Sequence, residues 1–497
     1  MIPTKYSCYF SLIGLLCIST TQIAAQTITP VNLQTGITLI LPSGGIANDV
    51  AVINADGDAR PDLLVPMQGL NRLKIYIQPT LHNYGQDLSI YTSQQPLSVL
   101  AMNFTTGSTV SPPNEFVVLT ANGNVTSWRP GSGGVYQAGT AVPLRGGLAC
   151  AATDRLVSGN YEVGNGPDLA GLSNGPQPSI ARLANRGNGV FQPMFPLPRR
   201  MADSALVLTT IDLDDDFDLL EEALVPRLND PTGSFAIYTH IGGVSQGTNW
   251  WSYNQVPVIP IGGRGPAVSL ATADINGDDF ADVVVAAADG PASGRVYVRR
   301  FLDNTPPLTF QAPIQSVVVG DVPREVRLAD LNGDRRPELL VLGAGGTLQV
   351  FTNISRTGTI VFDPTPLTLS TGPDPALIRI ADADGDGDLD VIVPCRGNGT
   401  VRVFWNMPQG LATTPQADAL ACTVYPNPAQ NELHIAWKGM GPQPAALLLD
   451  LAGRCVRRWE PGTFTTDLAV GDLARGLYIL RLAGREGAQV NRRVELR

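Results

Sequence analysis

Short apolar runs separated by polar turns fill the chain from about residue 40 to 408, with no helical period in them. Seven segments repeat one pattern: an apolar strand, a turn rich in Asp, Asn and Gly, then a second apolar strand. They are AVINADGDARPDLLVP (51–66), VLAMNFTTGS (99–108), LVSGNYEVGNGPDLAGL (156–172), LTTIDLDDDFDLL (208–220), ATADINGDDFADVVVA (271–286), LADLNGDRRPELLVL (328–342) and RIADADGDGDLDVIVP (379–394). The turns open at Asn54, Asn103, Asn160, Asp212, Asp274, Asp330 and Asp382, in steps of 49, 57, 52, 62, 56 and 52 residues. A unit of that size holds four short strands and their turns. Two further strand-like runs do follow the hairpin, as in RVYVRRFL (295–302) and TLQVFTNI (347–354).

Four antiparallel strands per repeat make a propeller blade, so the pattern predicts an all-β chain with a seven-bladed β-propeller over 26–410. An open array would need atypical capping ends, which a closed ring does not. Ile37–Leu41 precedes the first unit and has strand character; it is expected to supply the fourth strand of the last blade.

These turns resemble the FG-GAP or VCBS repeats that build integrin-α-like propellers. The form here is [D/N]-x-[D/N]-x-D-x-x-x-[D/E], fullest at Asp382, Asp384, Asp386, Asp388 and Asp390. The second copy has lost its acids, and the third has Gly164 where an acid is wanted. Residues 411–421 read as a polar linker. Beyond it, Val424-Tyr425-Pro426-Asn427-Pro428, Leu433-His434-Ile435, Leu451-Ala452-Gly453-Arg454 and the run from Leu473 to Leu482 follow in order. They resemble the C-terminal sorting domain of type IX secretion. That resemblance implies a small β-sandwich over 422–497 that engages the secretion machinery and is then removed. The strand-and-turn pattern alone fits a resident Ig-like module equally well.

Calcium takes six to eight hard oxygens in irregular geometry. A short loop with acids at positions 1, 3, 5 and 9 can wrap such an ion, with glycine allowing the sharp turn. The ligands expected on this pattern are Asn54, Asp56, Asp58 and Asp62 in the first turn; Asp274, Asn276, Asp278 and Asp282 in the fifth; Asp330, Asn332, Asp334 and Glu338 in the sixth; and Asp382, Asp384, Asp386 and Asp390 in the seventh. The fourth offers Asp212, Asp214 and Asp216 but carries Leu220 at position nine. Acids this crowded repel one another without a cation. The last acid at position nine and the flanking strands set these loops apart from an EF-hand.

Charge sharpens the picture. Residues 26–410 hold 23 bases against 36 acids, while 411–497 hold 10 against 8. An acidic body excludes binding of nucleic acid through its phosphates and favours cations or neutral and basic partners. Residues 1–25 read as a secretory signal: Lys5, the apolar run Phe10–Ile18, and Ala25 at the cleavage position. That run is too short for a permanent membrane span. The chain is therefore expected to be secreted or held at the outer-membrane surface, by way of the periplasm.

Three histidines, His82, His240 and His434, read as isolated surface residues, and no nucleophilic triad can be assembled. The catalytic set is accordingly read as none. Trp250, Trp251 and Tyr253 could stack on a sugar or pack between blades. The primary reading is a non-enzymatic, monomeric binding or adhesion propeller with an extracellular protein or glycan ligand. Its ligand face would lie opposite the acidic turns, near Arg145, Arg199, Arg200, Arg264, Arg324 and Arg396. The alternative is an exported hydrolase or lyase acting on polysaccharide.

Overall fold

The computed structural model describes residues 31–407 and 421–497. Excepted are 59, 106–111, 133–134, 145–149, 151–154, 160–166, 174–178, 194–198, 201–208, 212–221, 239, 242–249, 252–257, 264, 291–292, 304–308, 312–314, 426, 439–444, 450–454, 460–466 and 484–488. The expected signal segment and the expected linker up to residue 420 lie outside the described residues, while Ala421, expected in the linker, opens a strand. The chain divides into two compact units between Pro408 and Gln409. Among the described residues every regular element but a single 3-10 residue is a strand.

In the first unit each repeat becomes one antiparallel sheet in simple up-and-down order. The sixth is typical: Pro323–Ala329, Glu338–Gly343, Thr347–Phe351 and Leu367–Ser370 pair in sequence. Among the described residues six further sheets follow the same plan, and the last runs Arg379–Ala381, Asp390–Cys395, Thr400–Asn406 and then Leu33–Ile40. The N-terminal strand thus completes the C-terminal sheet, with Leu33 opposite Asn406 and Ile40 opposite Thr400. It starts four residues earlier than the apolar run suggested. Gly36 lies in its irregular stretch between Thr35 and Thr38, where a Cβ would fall 2.4 Å from the Trp405 ring nitrogen.

Packing explains the differing texture of the strands. Asp62–Gln68, Asp282–Gly290, Glu338–Gly343 and Asp390–Cys395 are buried along almost their whole length. They are second strands, covered on both faces by neighbouring sheets, and so read as continuous apolar runs. The fourth strand Leu367–Ser370 alternates half-buried and exposed. Successive sheets share apolar cores. Val341 and Phe351 pack with Val284 and Val296, and Leu340 and Val350 with Val391 and Phe404. The last sheet shares a core with the first through Ile392, Val401 and Trp405 against Val52, Leu63 and Tyr76.

A recurrent amide ties four of the sheets to the one before. The side-chain N–H of Asn353, just beyond its third strand, donates to the Ile275 carbonyl of the preceding turn at 2.9 Å. Asn406 does the same to Leu331 at 2.6 Å, Gln78 to Ala383 at 2.9 Å and Asn185 to Phe104 at 3.3 Å. Gln78 thereby bonds the first sheet to the last. These donors are buried, so each bond replaces one that water would otherwise supply.

The second unit has a three-stranded sheet, Ala421–Tyr425, Glu432–Lys438 and Asp467–Ala469, and a four-stranded one, Cys455–Trp459, Ala445–Leu449, Gly476–Ala483 and Gln489–Leu496. Leu433, Ile435 and Leu468 of one meet Leu448, Leu480 and Val494 of the other in a common core. The Asn427–Pro428 peptide bond is cis.

Candidate metal centre in the acidic turns

The four described acidic turns share one backbone solution. Position one caps the turn: Asn54, Asp274, Asp330 and Asp382 each accept the N–H of the glycine three residues on, at 2.8, 2.7, 2.8 and 2.6 Å. Those glycines, 57, 277, 333 and 385, have φ of 78°, 73°, 75° and 85°. At 57, 277 and 333 a Cβ would meet nothing within 4 Å, so the left-handed backbone, not crowding, requires glycine.

Position nine does something else. Asp62, Asp282, Glu338 and Asp390 are wholly buried, and each bridges two backbone segments. Asp390 accepts Ala383 N–H at 2.9 Å and Asn406 N–H at 2.7 Å. Asp62 takes Ala55 and Gln78 at 2.7 and 2.9 Å, Asp282 takes Ile275 and Phe301 at 3.2 and 3.0 Å, and Glu338 takes Leu331 and Asn353 at 2.9 and 3.4 Å. Each acid pins its turn to the end of the third strand. The second and third repeats each show one half of this bracket: Glu115 holds its own turn, and Asp168 holds the end of the third strand. Glu115 accepts Phe104 and Thr105 N–H, each at 2.9 Å, and buried Asp168 accepts Asn185 N–H at 2.8 Å. Sequence reasoning missed both. The signal was available: an acid stands directly before the second apolar strand in EFVVLT and DLAGL, as in DLLVP and ELLVL.

Of the nineteen residues read as metal ligands, the structure draws Asp382, Asp384 and Asp390 together, with carboxylate oxygens within 4.8 Å of one another. Among the described residues no other such group forms. Asp386 lies outside it, accepting Asp388 N–H at 2.9 Å. In the first turn Arg60 pairs with Asp58, and the Asn54 amide donates to the Asp58 carbonyl at 2.6 Å. In the fifth, Arg300 holds Asp278 at 2.8 Å while the Asn276 amide donates to Asp282 at 3.1 Å. In the sixth, the Asn332 amide donates to Glu338 at 3.0 Å, and Asp334 accepts Arg336 N–H at 2.9 Å. Asp56 of the first turn accepts the Asp58 N–H at 3.0 Å. Asp212, Asp214 and Asp216 lie outside the described residues. So do Arg145, Arg264 and Tyr253, while Trp250–Trp251 pairs with His240–Ile241 in a short ribbon.

His82 corrects the reading of an isolated surface histidine. Its Nε2 lies 2.6 Å from Asp384 Oδ2, and its ring stacks on Trp405 with centroids 4.6 Å apart. The histidine crosses from the first repeat to the seventh, a contact that no local pattern announces.

Burial pushes the carboxyls of Asp282, Glu338 and Asp390 up to about 7, opposed by their backbone N–H bonds and reinforced by the other acids of each turn. Burial raises Asp62 as well. An acid held above its unfolded value binds its proton more tightly when folded. The stability this adds is complete below the unfolded value near 4 and is lost as pH rises through about 7. Metal-stripped protein is therefore expected to melt several degrees higher near pH 5 than near pH 8, with calcium shrinking the gap because a cation favours the ionised form. Equal melting temperatures at both pH values, measured by calorimetry without metal, would show that these acids are ionised in the fold.

Comparison with known families agrees with the repeats. Residues 330–393 match the FG-GAP-like repeat, 267–298 the FG-GAP repeat, and 423–494 the secretion system C-terminal sorting domain. The chain thus carries FG-GAP repeats and a sorting domain of type IX secretion, which places it as a secreted or cell-surface protein that engages that machinery. No curated protein matches it. A solved structure similar to it is PorZ of Porphyromonas gingivalis, described as an essential bacterial surface component of the type IX secretion system. The TM-score is 0.42 at 13% identity, over 92% of this chain and 60% of that one. The chain thus spans under two thirds of PorZ. Among the described residues no helix is long and apolar enough to cross a membrane.

Proposed function

We propose that the first unit is a closed seven-bladed propeller, stabilised by calcium, that serves as a non-enzymatic binding protein outside the cell, and that the second is an Ig-like sandwich acting as its export signal. The observation that carries the calcium reading is the convergence of Asp382, Asp384 and Asp390. Asp384 and Asp390 are buried, yet no Lys or Arg is seen paired with any of the three among the described residues. A carboxylate oxygen that accepts one N–H keeps a lone pair for an ion. Calcium suits the set better than magnesium, which demands a near-ideal octahedron and keeps its waters. Ring closure is supported by the strand Leu33–Ile40 and by the core shared between last and first sheets. The non-enzymatic reading is supported by His82, which is committed to Asp384 and Trp405.

Stripping the purified protein with excess chelator should lower its melting temperature by several degrees. Ligand present at about 1,000 times its dissociation constant adds about 4 kcal/mol by mass action. Asp384→Ala should remove most of that response, whereas Asn103→Ala, in the turn without acids, should leave it intact. A melt indifferent to verified metal removal would end the calcium reading. Arrays of extracellular glycans and proteins probed with the secreted form test the binding reading.

A further inference from the structure

The first unit contains a cavity of about 360 Å³ walled by strands from the third, fifth, sixth and seventh sheets. That size falls within the range of small-molecule sites. Among the described residues five arginines line it, Arg155, Arg324, Arg327, Arg379 and Arg396, with one acid, Glu325. The rest of the described wall is largely aliphatic, including Leu156, Val157, Val268 and Leu377, and none of the described lining residues is aromatic. The surrounding body, 26–410, has 23 bases against 36 acids, so this wall inverts the charge of the unit around it.

Two of these arginines share a single carboxylate. Arg379 pairs with fully buried Asp49 at 2.6 Å, and Arg327 pairs with Glu325 at 2.5 Å. Glu325 is further held by the Ile378 N–H, at 2.5 Å. Arg324 and Arg396 share a single oxygen of Asp374, at 2.9 and 2.8 Å. Arg155 donates to the Asn48 carbonyl at 3.1 Å. Arg324 and Arg396 thus meet one carboxylate between them, while Arg327 and Arg379 each have their own. Asp49 and Glu325 are buried and each holds its own arginine, so the shared Asp374 marks where charge is least balanced.

We propose that this cavity binds a small aliphatic carboxylate, its anionic end between Arg324 and Arg396 and its body against Leu156, Val268 and Leu377. Guanidinium presents its donors in a planar fork that matches a carboxylate. The aliphatic wall favours an apolar body, and the absence of an aromatic platform disfavours a sugar ring as the occupant. This deepens the binding reading given above and names the ligand class for it.

Calorimetric titration of the secreted, calcium-loaded protein tests it. The probes are hexanoate, hexanamide, glucuronate and N-acetyl-leucine. Hexanoate should bind with one-to-one stoichiometry, and hexanamide, which has the same body without the charge, at least about tenfold more weakly. The double variant R324Q/R396Q should weaken hexanoate by about tenfold or more while keeping its melting temperature. Arg327→Gln serves as a second lining variant if the double one does not fold, with the same direction expected. Equal binding of hexanoate and hexanamide, no binding of hexanoate, or unchanged affinity in the folded variants would overturn the proposal. Tighter binding of glucuronate or N-acetyl-leucine than of hexanoate would overturn the ligand class. A protein that ignores all four probes yet keeps its chelator-sensitive melt would lose this site while the calcium reading stood.

Discussion

Asp390→Ala is expected to destabilise the first unit by about 2–5 kcal/mol, because it orphans two buried backbone donors at roughly 1–3 kcal/mol each. The donors are Ala383 N–H and Asn406 N–H, which the two carboxylate oxygens now accept at 2.9 and 2.7 Å. The loss spreads beyond one sheet, since the Asn406 amide also bonds Leu331 of the sixth repeat. Asp390→Asn should fall between alanine and the native residue: it keeps one acceptor oxygen and turns an N–H toward the other donor. Glu338→Ala should behave like Asp390→Ala, because its bracket is the same. The cost should persist in metal-stripped protein, unlike that of Asp384→Ala, which should shrink when calcium is absent. Denaturant unfolding with and without calcium separates the two. An Asp390→Ala cost that vanishes on stripping would mean that the residue matters only through an ion, and the bracket would then carry no weight of its own.

Removing residues 422–497 should abolish export across the outer membrane while leaving the first unit folded in the periplasm. The two units have separate cores: Leu433, Leu448 and Leu480 belong to the second, and no residue beyond Met407 enters the described cores of the first. Closure of the first unit needs Leu33–Ile40, which pairs with Thr400–Asn406. Signal removal near Gln26 spares that strand, and a cut within 411–421 spares its partner. The extracellular form should therefore begin near Gln26 and end in the linker, which intact-mass measurement decides. A secreted species that still carries Arg497 would make the second unit a resident domain. A truncated chain degraded in the periplasm would show that the first unit depends on the second to fold.

Strand identity and repeat boundaries were legible in the sequence because both are local. An apolar run ahead of an Asp/Asn/Gly turn specifies a hairpin through glycine's left-handed backbone and side-chain capping, whatever surrounds it. The pairing of Leu33–Ile40 with the last sheet was also within reach, since one strand was left over and one sheet was short. The backbone role of the acids was not legible. The spacing at positions 1, 3, 5 and 9 suggested that all four serve an ion. In the fold, position one caps the turn and position nine binds two backbone segments, one of them beyond the third strand. That segment lies sixteen residues away in sequence. Glu115 and Asp168 escaped notice because acids were sought as ion ligands, whereas these two accept backbone N–H groups. His82 meets Asp384 across 302 residues, and the arginine cavity collects side chains from four sheets. Such meetings depend on how the sheets face one another, which only the packed tertiary structure decides, because residue spacing along a strand carries no information about which strand of another sheet lies opposite.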